Sequence, residues 1–383
     1  MKSIYFDNNA TTPVDPLVCD AMLPYLKERF GNPSSPHRFG QSAKEGITMA
    51  RDNVSALIGC HPERLVFTSS GTESNNTAIW CAVLANPDKK HIISSQVEHH
   101  SVIRLLEFLQ KHGYDIQLLS VDQQGELDLE ELGRSIGERT ALVSLMGANN
   151  ETGVIWPIKE IGEIVKSKGV LFQSDAVQMP GKVPLDMKEI PVDYLSISSH
   201  KIHGPKGAGA IYVRRGVPFS PLIFGGRQEK DRRAGTENVP AIVGFGKAAE
   251  LALSHLQRGV DARLKTMRDY LENQIKTKIP EVKINGAGQP RLPNTLNAGF
   301  RYASSEAMVQ EFDEKCIAIS AHAACETGTV EPSHVLRAMG IEEDYIYGTL
   351  RISLSRFNTI EEVEVFLNIL PLIVQKSRQL FPM

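Results

Sequence analysis

Between residues 65 and 213, short apolar runs alternate with longer segments whose apolar positions recur every three or four residues. The runs Leu65-Val66-Phe67, His91-Ile92-Ile93, Ile116-Gln117-Leu118-Leu119, Ala141-Leu142-Val143-Ser144-Leu145, Val170-Leu171-Phe172, Tyr194-Leu195-Ser196-Ile197 and Ala210-Ile211-Tyr212-Val213 predict strands. Several are apolar on both faces, as strands of a mostly parallel sheet between two layers of helices must be. The periodic segments predict helices over residues 75–84, 102–111 and 158–168. Together these elements make an α/β domain with a large central sheet.

Two long helices are predicted next, over residues 240–256 and 261–279, the second with Leu264, Met267, Leu271 and Ile275 on one face. After Pro280 the pattern changes. Val282-Lys283-Ile284, Thr295-Leu296-Asn297-Ala298-Gly299-Phe300 and Arg351-Ile352-Ser353-Leu354 read as strands, and Thr359-Ile360-Glu361-Glu362 reads as a capping box opening a last helix. This part forms a smaller C-terminal α+β domain, in keeping with a chain of 383 residues.

Composition adds mainly exclusions. The chain is 42% hydrophobic and 23% charged with a net charge of −3, and its arginine pairs (Arg214-Arg215, Arg232-Arg233) form no basic stripe, so nucleic acid is not an expected partner. The start lacks the apolar core of a signal peptide. The most apolar late stretch, residues 365–374, is short and interrupted by Asn368 and Pro371, so no membrane span is expected and the cytoplasm is the default location. The five cysteines are odd in number, irregularly spaced and without a C-x-x-C pair, which argues against a disulfide framework or a zinc site. Cys19, Cys60, Cys81 and Cys316 are expected to be inert packing residues.

The candidate chemistry gathers where strands end. Lys201 follows Tyr194-Leu195-Ser196-Ile197 through Ser198-Ser199-His200 and precedes a Gly/Pro-rich loop, a setting that suits a Schiff base with an aldehyde cofactor. Asp175 stands at the end of another strand, where open α/β sheets bind ligands. It is placed either to hold the ring N–H of a pyridine cofactor or simply to cap the next helix, with Gln178 one turn on to meet a ring oxygen. Thr68-Ser69-Ser70-Gly71-Thr72-Glu73-Ser74-Asn75-Asn76 joins a strand to a helix start and suits one phosphate, or an ordinary capped helix. His99 could lie over a cofactor ring or be structural. Asn149 could bind a ligand or make a turn, and Arg351 could hold a substrate carboxylate or an internal ion pair. Cys325 lies among small polar residues with no period that would bury it, so an exposed, reactive thiol is expected.

These residues closely resemble the cysteine desulfurases of the NifS/IscS type, within the class V, fold-type I pyridoxal phosphate enzymes. The likeness runs through Tyr5-Phe6-Asp7-Asn8-Asn9-Ala10-Thr11-Thr12, Gly71-Thr72-Glu73-Ser74-Asn75-Asn76, Glu98-His99, Asn149-Asn150-Glu151-Thr152-Gly153, Ser198-Ser199-His200-Lys201, Arg233-Ala234-Gly235-Thr236-Glu237-Asn238 and Glu331-Pro332-Ser333-His334-Val335-Leu336-Arg337. The resemblance implies a large cofactor-binding domain over residues 15–256 and a small domain of residues 1–14 and 257–383 carrying the Cys325 loop. It implies pyridoxal 5'-phosphate joined to Lys201, with Asp175 on the ring nitrogen, Gln178 on the ring hydroxyl and His99 stacked on the ring as acid and base. Gly71, Thr72, Ser198 and His200 would hold the phosphate, and Thr236 would reach the phosphate of a neighbouring subunit, making a homodimer part of the site. Asn149 and Arg351 would orient cofactor and substrate. Sulfur from L-cysteine would pass to Cys325 as a persulfide, leaving L-alanine, and then to a sulfur-acceptor protein such as an iron–sulfur scaffold.

Two departures qualify this expectation. The family usually carries Ser-Ser-Gly-Ser-Ala-Cys-Thr-Ser at the nucleophile, whereas here the run is Ser320-Ala321-His322-Ala323-Ala324-Cys325-Glu326-Thr327. A protonated His322 would favour the thiolate and Glu326 would oppose it. The Ala-Ala-Cys triplet is similar to that of selenocysteine lyases of the same fold, which makes such a lyase the second reading. The chain also ends soon after its last helix, so the longer tail with which relatives hold a scaffold protein is not expected.

Overall fold

A computed structural model describes residues 3–321 and 332–380. All seven expected strands are present: Leu65–Thr68 (β1), His91–Ser95 (β2), Asp115–Leu119 (β3), Thr140–Ser144 (β4), Leu171–Asp175 (β5), Tyr194–Ser198 (β6) and Gly209–Val213 (β7). They form one sheet in the order β1-β7-β6-β5-β4-β2-β3. Neighbours from β6 to β3 pair in parallel, and β7 runs antiparallel to both β6 and β1. The direction of strand addition reverses between β2 and β4, and a crevice opens at such a reversal.

Alternation along the strands explains why both faces are apolar. Val66, Ile92, Leu142, Tyr194 and Ile211 point to one side and pack under the helices Gly71–Ala85 and His100–Lys111. Phe67, Ile93, Val143, Leu195 and Tyr212 point to the other, into the main core with Val54 and Phe245. That second face is covered by Pro16–Lys27, Arg38–Leu57 and Val239–Gln257. The first two of these helices were not marked by the sequence pattern.

The C-terminal part contains Val282–Ile284 (β8), Thr295–Phe300 (β9), Ser320–Ala321 (β10) and Thr349–Ser353 (β11), an antiparallel sheet ordered β10-β11-β9-β8. Helices Val260–Lys278, Ser305–Asp313 and Ile360–Leu380 enclose its core around Leu271, Leu296, Phe312, Ile352 and Phe366. The capping box forms as expected: Glu362 N–H donates to Thr359 Oγ1 and Thr359 N–H to a Glu362 carboxylate oxygen, both at 3.3 Å. Pro371 does not break this helix. Phe6, from the chain start, joins the same core, whereas Val335, Leu336 and Ile346 pack into the main one. No helix among the described residues is long and apolar enough to cross a membrane.

Candidate active site

The carboxyl ends of the central strands open into a cleft of about 430 Å³. Gly71, Thr72, His99, Asp175, Lys201 and Arg351 all line it, with Gln178, Ser198 and His200 between them. Nine residues singled out from sequence positions scattered over some 280 residues thus share one cavity.

Lys201 ends a single 3-10 turn, Ser199–Lys201, immediately after β6. Its ammonium donates to the carbonyls of Asn9 and Ala10 at 2.5 and 2.8 Å. Burial, together with the nearby Arg351 guanidinium, brings its pKa down to about 8. A lysine so shifted releases its proton far more readily than an ordinary one, as a nucleophilic amine must. His200, beside it, is pushed down to about 4 by burial and by Lys201, and is therefore neutral near pH 7.

Asp175 terminates β5 and is buried. One oxygen accepts the backbone N–H of Val177 at 2.9 Å and closes a turn, since no helix follows β5 for it to cap; the other accepts Asn75 Nδ2 at 2.7 Å. Asn75 in turn donates to Ser101 Oγ at 2.9 Å and receives Gln173 Nε2 on its carbonyl at 3.0 Å. The Ser101 hydroxyl lies 2.8 Å from His99 Nδ1, which also accepts the Ser101 backbone N–H at 3.1 Å. With Nδ1 engaged as an acceptor, the proton of the neutral imidazole resides on Nε2. Burial holds His99 below its ordinary value, opposed by Asp175, so the neutral form prevails. The sequence pattern assigns neither residue this bridging role: Asn75 belongs to the run over residues 68–76 and to the helix expected over 75–84, and Ser101 stands just before the helix expected over residues 102–111.

The third wall is the start of helix Gly71–Ala85. Ser70 caps it by accepting Glu73 N–H at 3.1 Å, and the first N–H groups have no acceptor within the helix. A Cβ on Gly71 would stand 2.6 Å from Val177 Cγ2, so only glycine leaves this cradle open. The Ser198 hydroxyl facing it is buried and without a partner. Glu73 fixes the cradle from outside through two bonds to Arg233, at 3.0 and 3.2 Å.

Arg351 is buried on β11, bonded to Asp7 at 2.8 Å and to the Asn150 carbonyl at 3.2 Å, while its Nε has no partner. The ion pair and an unengaged N–H therefore coexist. Asn149 does not line the cleft: its side-chain Oδ1 accepts the N–H groups of Glu151 and Thr152 at 2.9 and 3.0 Å, closing a turn, and the wall there is Ala148 and Asn150. Thr236 is exposed in a separate hollow with Ser69 and Arg233. Cys325, with His322 and Glu326, lies outside the described residues. Of the other cysteines, Cys60 and Cys81 are pushed up to about 12 and about 11 by burial, whereas Cys19 and Cys316 are exposed rather than packed.

Glu98, next to His99, is buried, and its pKa is pushed up to about 8 by burial. One oxygen accepts Ser95 Oγ and Met146 N–H, both at 2.9 Å; the other has no partner. The folded chain keeps this proton from about pH 4.5 to 8 while the unfolded chain loses it, so stability falls as pH rises through that window. Glu98→Gln should remove that slope and stabilise the protein by roughly 4 kcal/mol at pH 8, with little change near pH 4.5. Thermal or urea unfolding at the two pH values measures it; a variant no more stable at pH 8 would contradict a protonated Glu98.

The family model described as Aminotransferase class-V matches residues 4–366. The chain belongs to the class V aminotransferase family. Among curated relatives, a cysteine desulfurase of Nostoc sp. (strain PCC 7120) is 50% identical over 382 residues, covering 100% of this chain and 95% of the relative. A solved NifS-like protein superposes with a TM-score of 0.90 at 37% identity, covering 98% of this chain and 100% of the other. SspA, solved in complex with cysteine, superposes with a TM-score of 0.81 at 32% identity, covering 93% and 100%. The mostly parallel seven-stranded sheet is the shared class V framework.

Proposed function

We propose that this class V enzyme is a cysteine desulfurase, with pyridoxal 5'-phosphate as cofactor and L-cysteine as substrate. One observation carries the reading: the Lys201 amine and the Asp175 carboxylate line one cleft together with an anion cradle at a helix start. The orphaned Ser198 hydroxyl and the space kept open by Gly71 fit a phosphate group. When bound, pyridoxal phosphate supplies a carbonyl for amines and a protonated ring that accepts an electron pair.

Lys201 would supply the amine that holds the cofactor and, when free of it, would take the substrate Cα proton at Nζ. Asp175 would hold the ring N–H. Gln178 would meet the ring oxygen, and Thr72, Ser198 and the neutral His200 would hold the phosphate. His99 would cover the ring and move protons through Nε2. Arg351 engages the substrate α-carboxylate through N–H groups that Asp7 leaves unengaged, while Asn149 shapes the turn that presents Asn150. The Cys325 thiolate forms a bond to the substrate sulfur as the carbon–sulfur bond breaks, and the carbon leaves as L-alanine after protonation. A soft sulfur nucleophile suits this transfer where a serine hydroxyl would not. The persulfide then passes to an acceptor protein, of which an iron–sulfur scaffold is one kind.

We further propose a homodimer. Exposed Leu26, Phe30, Phe39 and Met49 on the first two helices and their connection, and Phe224 at 80% exposure, are apolar surface of the kind a partner covers. Thr236, exposed and outside its own cleft, would then serve the partner's phosphate. On this reading residues 15–256 form the cofactor domain and residues 1–14 with 257–383 the small one. Unpaired thiols among the described cysteines suit a reducing cytoplasm.

The deciding experiment measures alanine formed from L-cysteine and from L-selenocysteine by wild type and Cys325→Ala. Wild-type activity on cysteine that falls at least about a hundredfold in the variant is expected, since the nucleophile is lost. Alanine from selenocysteine alone, or a variant with undiminished activity on cysteine, would transfer the assignment to a selenocysteine lyase.

A further inference from the structure

Lys182 is buried beneath the cleft, four residues after Gln178. Its ammonium donates to Gln178 Oε1 at 2.7 Å and reaches Asn9 Oδ1 at 3.5 Å. The charged groups that act on it, Lys201 and Arg351, are both cations, and burial brings its pKa down to about 7. A lysine taken out of water among like charges is costly, and packing does not require it, since methionine fills a similar volume.

The bond to Gln178 gives this lysine a use. A glutamine amide has two ends of similar shape, one accepting and one donating, and its neighbours decide which end faces where. At Gln178 the carbonyl oxygen is held by Lys182, and Nε2 donates one hydrogen to the Asn9 carbonyl at 3.0 Å. The second Nε2 hydrogen remains for the cleft, which Gln178 lines. A flipped amide would set Nε2 against the Lys182 ammonium and Oε1 against the Asn9 carbonyl, two donors together and two acceptors together. The Asn9 carbonyl also receives Lys201 Nζ, so it is shared, whereas the Lys182 bond to Oε1 is not affected when Lys201 moves.

We propose that Lys182 is a positioning residue that locks the Gln178 amide with its N–H toward the cleft, so that the site selects a cofactor bearing an ionised ring oxygen. The inference rests on the pyridoxal phosphate reading above. It assigns Lys182 no contact with cofactor or substrate.

The test is binding of pyridoxal 5'-phosphate and of its 3-deoxy analogue, which lacks the ring hydroxyl, to cofactor-stripped protein, followed by absorbance and fluorescence quenching. One hydrogen bond to an ionised oxygen corresponds to a preference of about tenfold or more for the parent compound in wild type. Lys182→Met is expected to cut that preference several-fold, Gln178→Met to abolish it, and the double variant to match Gln178→Met. Lys182→Leu gives the same reading should the methionine variant fail to fold. A folded Lys182 variant that retains the full preference overturns the proposal, as does wild type that binds both compounds equally. Wild type that binds neither would instead overturn the pyridoxal phosphate reading. A purely structural lysine would weaken both ligands alike and leave their ratio unchanged, which also overturns the proposal.

Discussion

Lys201→Ala is expected to lower kcat for alanine formation from L-cysteine by at least roughly 10⁴-fold, since it removes both the nucleophilic amine and a general base. The fold should survive, because what Lys201 engages are the carbonyls of Asn9 and Ala10 and not a carboxylate. Borohydride reduction of cofactor-loaded wild type should place a pyridoxyl group on the peptide containing Lys201, and none should appear in the variant. The shifted pKa makes a separate claim. Half of the Lys201 amine is free near pH 8, against well under 1% for an ordinary lysine, a gain on the order of a hundredfold. The rate at which stripped wild type takes up the cofactor should therefore rise with pH and level off above about 8. A rate still climbing steeply between pH 9 and 10 would mean that burial does not shift this lysine.

Asp175→Asn should follow, with a loss of roughly 10²–10³-fold in kcat and a smaller change in KM. The carboxylate's charge keeps the ring proton in place, and an amide of the same shape cannot do so. The hydrogen bonds add a geometric difficulty. Both Asp175 oxygens accept, one from Val177 N–H and one from Asn75 Nδ2, so an amide nitrogen would face a donor at either end. Relief requires Asn75 to flip, which turns its carbonyl away from Gln173 and its amide away from Ser101. Asn75→Ala is the control: it keeps the charge and removes the bridge, so its kcat should fall by less than that of Asp175→Asn. Equal losses in the two variants would assign the effect to geometry and not to charge.

Much of the sheet was readable because both of its faces are buried. Runs such as Ala141-Leu142-Val143 are apolar at every position, and the observed β4 differs from its expected bounds by one residue at each end. Helices Pro16–Lys27 and Arg38–Leu57 escaped notice for the opposite reason. The first begins at a proline and contains Pro24, and the second mixes Gly40, Gly46 and Ser55 into its buried side. In the site, Lys201, Asp175 and the Gly71 turn were legible because each follows a strand closely. Asn75, Ser101, Asn9 and Lys182 were not. Their partners lie 26 to 192 residues away or, for Lys182, four residues back in an irregular turn, and no local spacing encodes such a bond. Asn149 shows the limit from the other side: its position after β4 suggested a ligand contact, but the turn it closes uses its side chain.

The segment from Asp7 to Ala10 gives the cleft its far wall, and it is held there by the end of the chain. Asn8 donates to the Ser353 carbonyl across 345 residues, Asn9 N–H to Ser353 Oγ, and Asp7 binds Arg351. On a ribosome, residues 7–10 must therefore wait for residues 351–353 before they can take this place. A nascent chain stopped before β11 would carry Lys201, Asp175 and the phosphate cradle, but no wall to cup the lysine and no guanidinium. Removal of residues 7–10 would therefore open the site as surely as loss of β11.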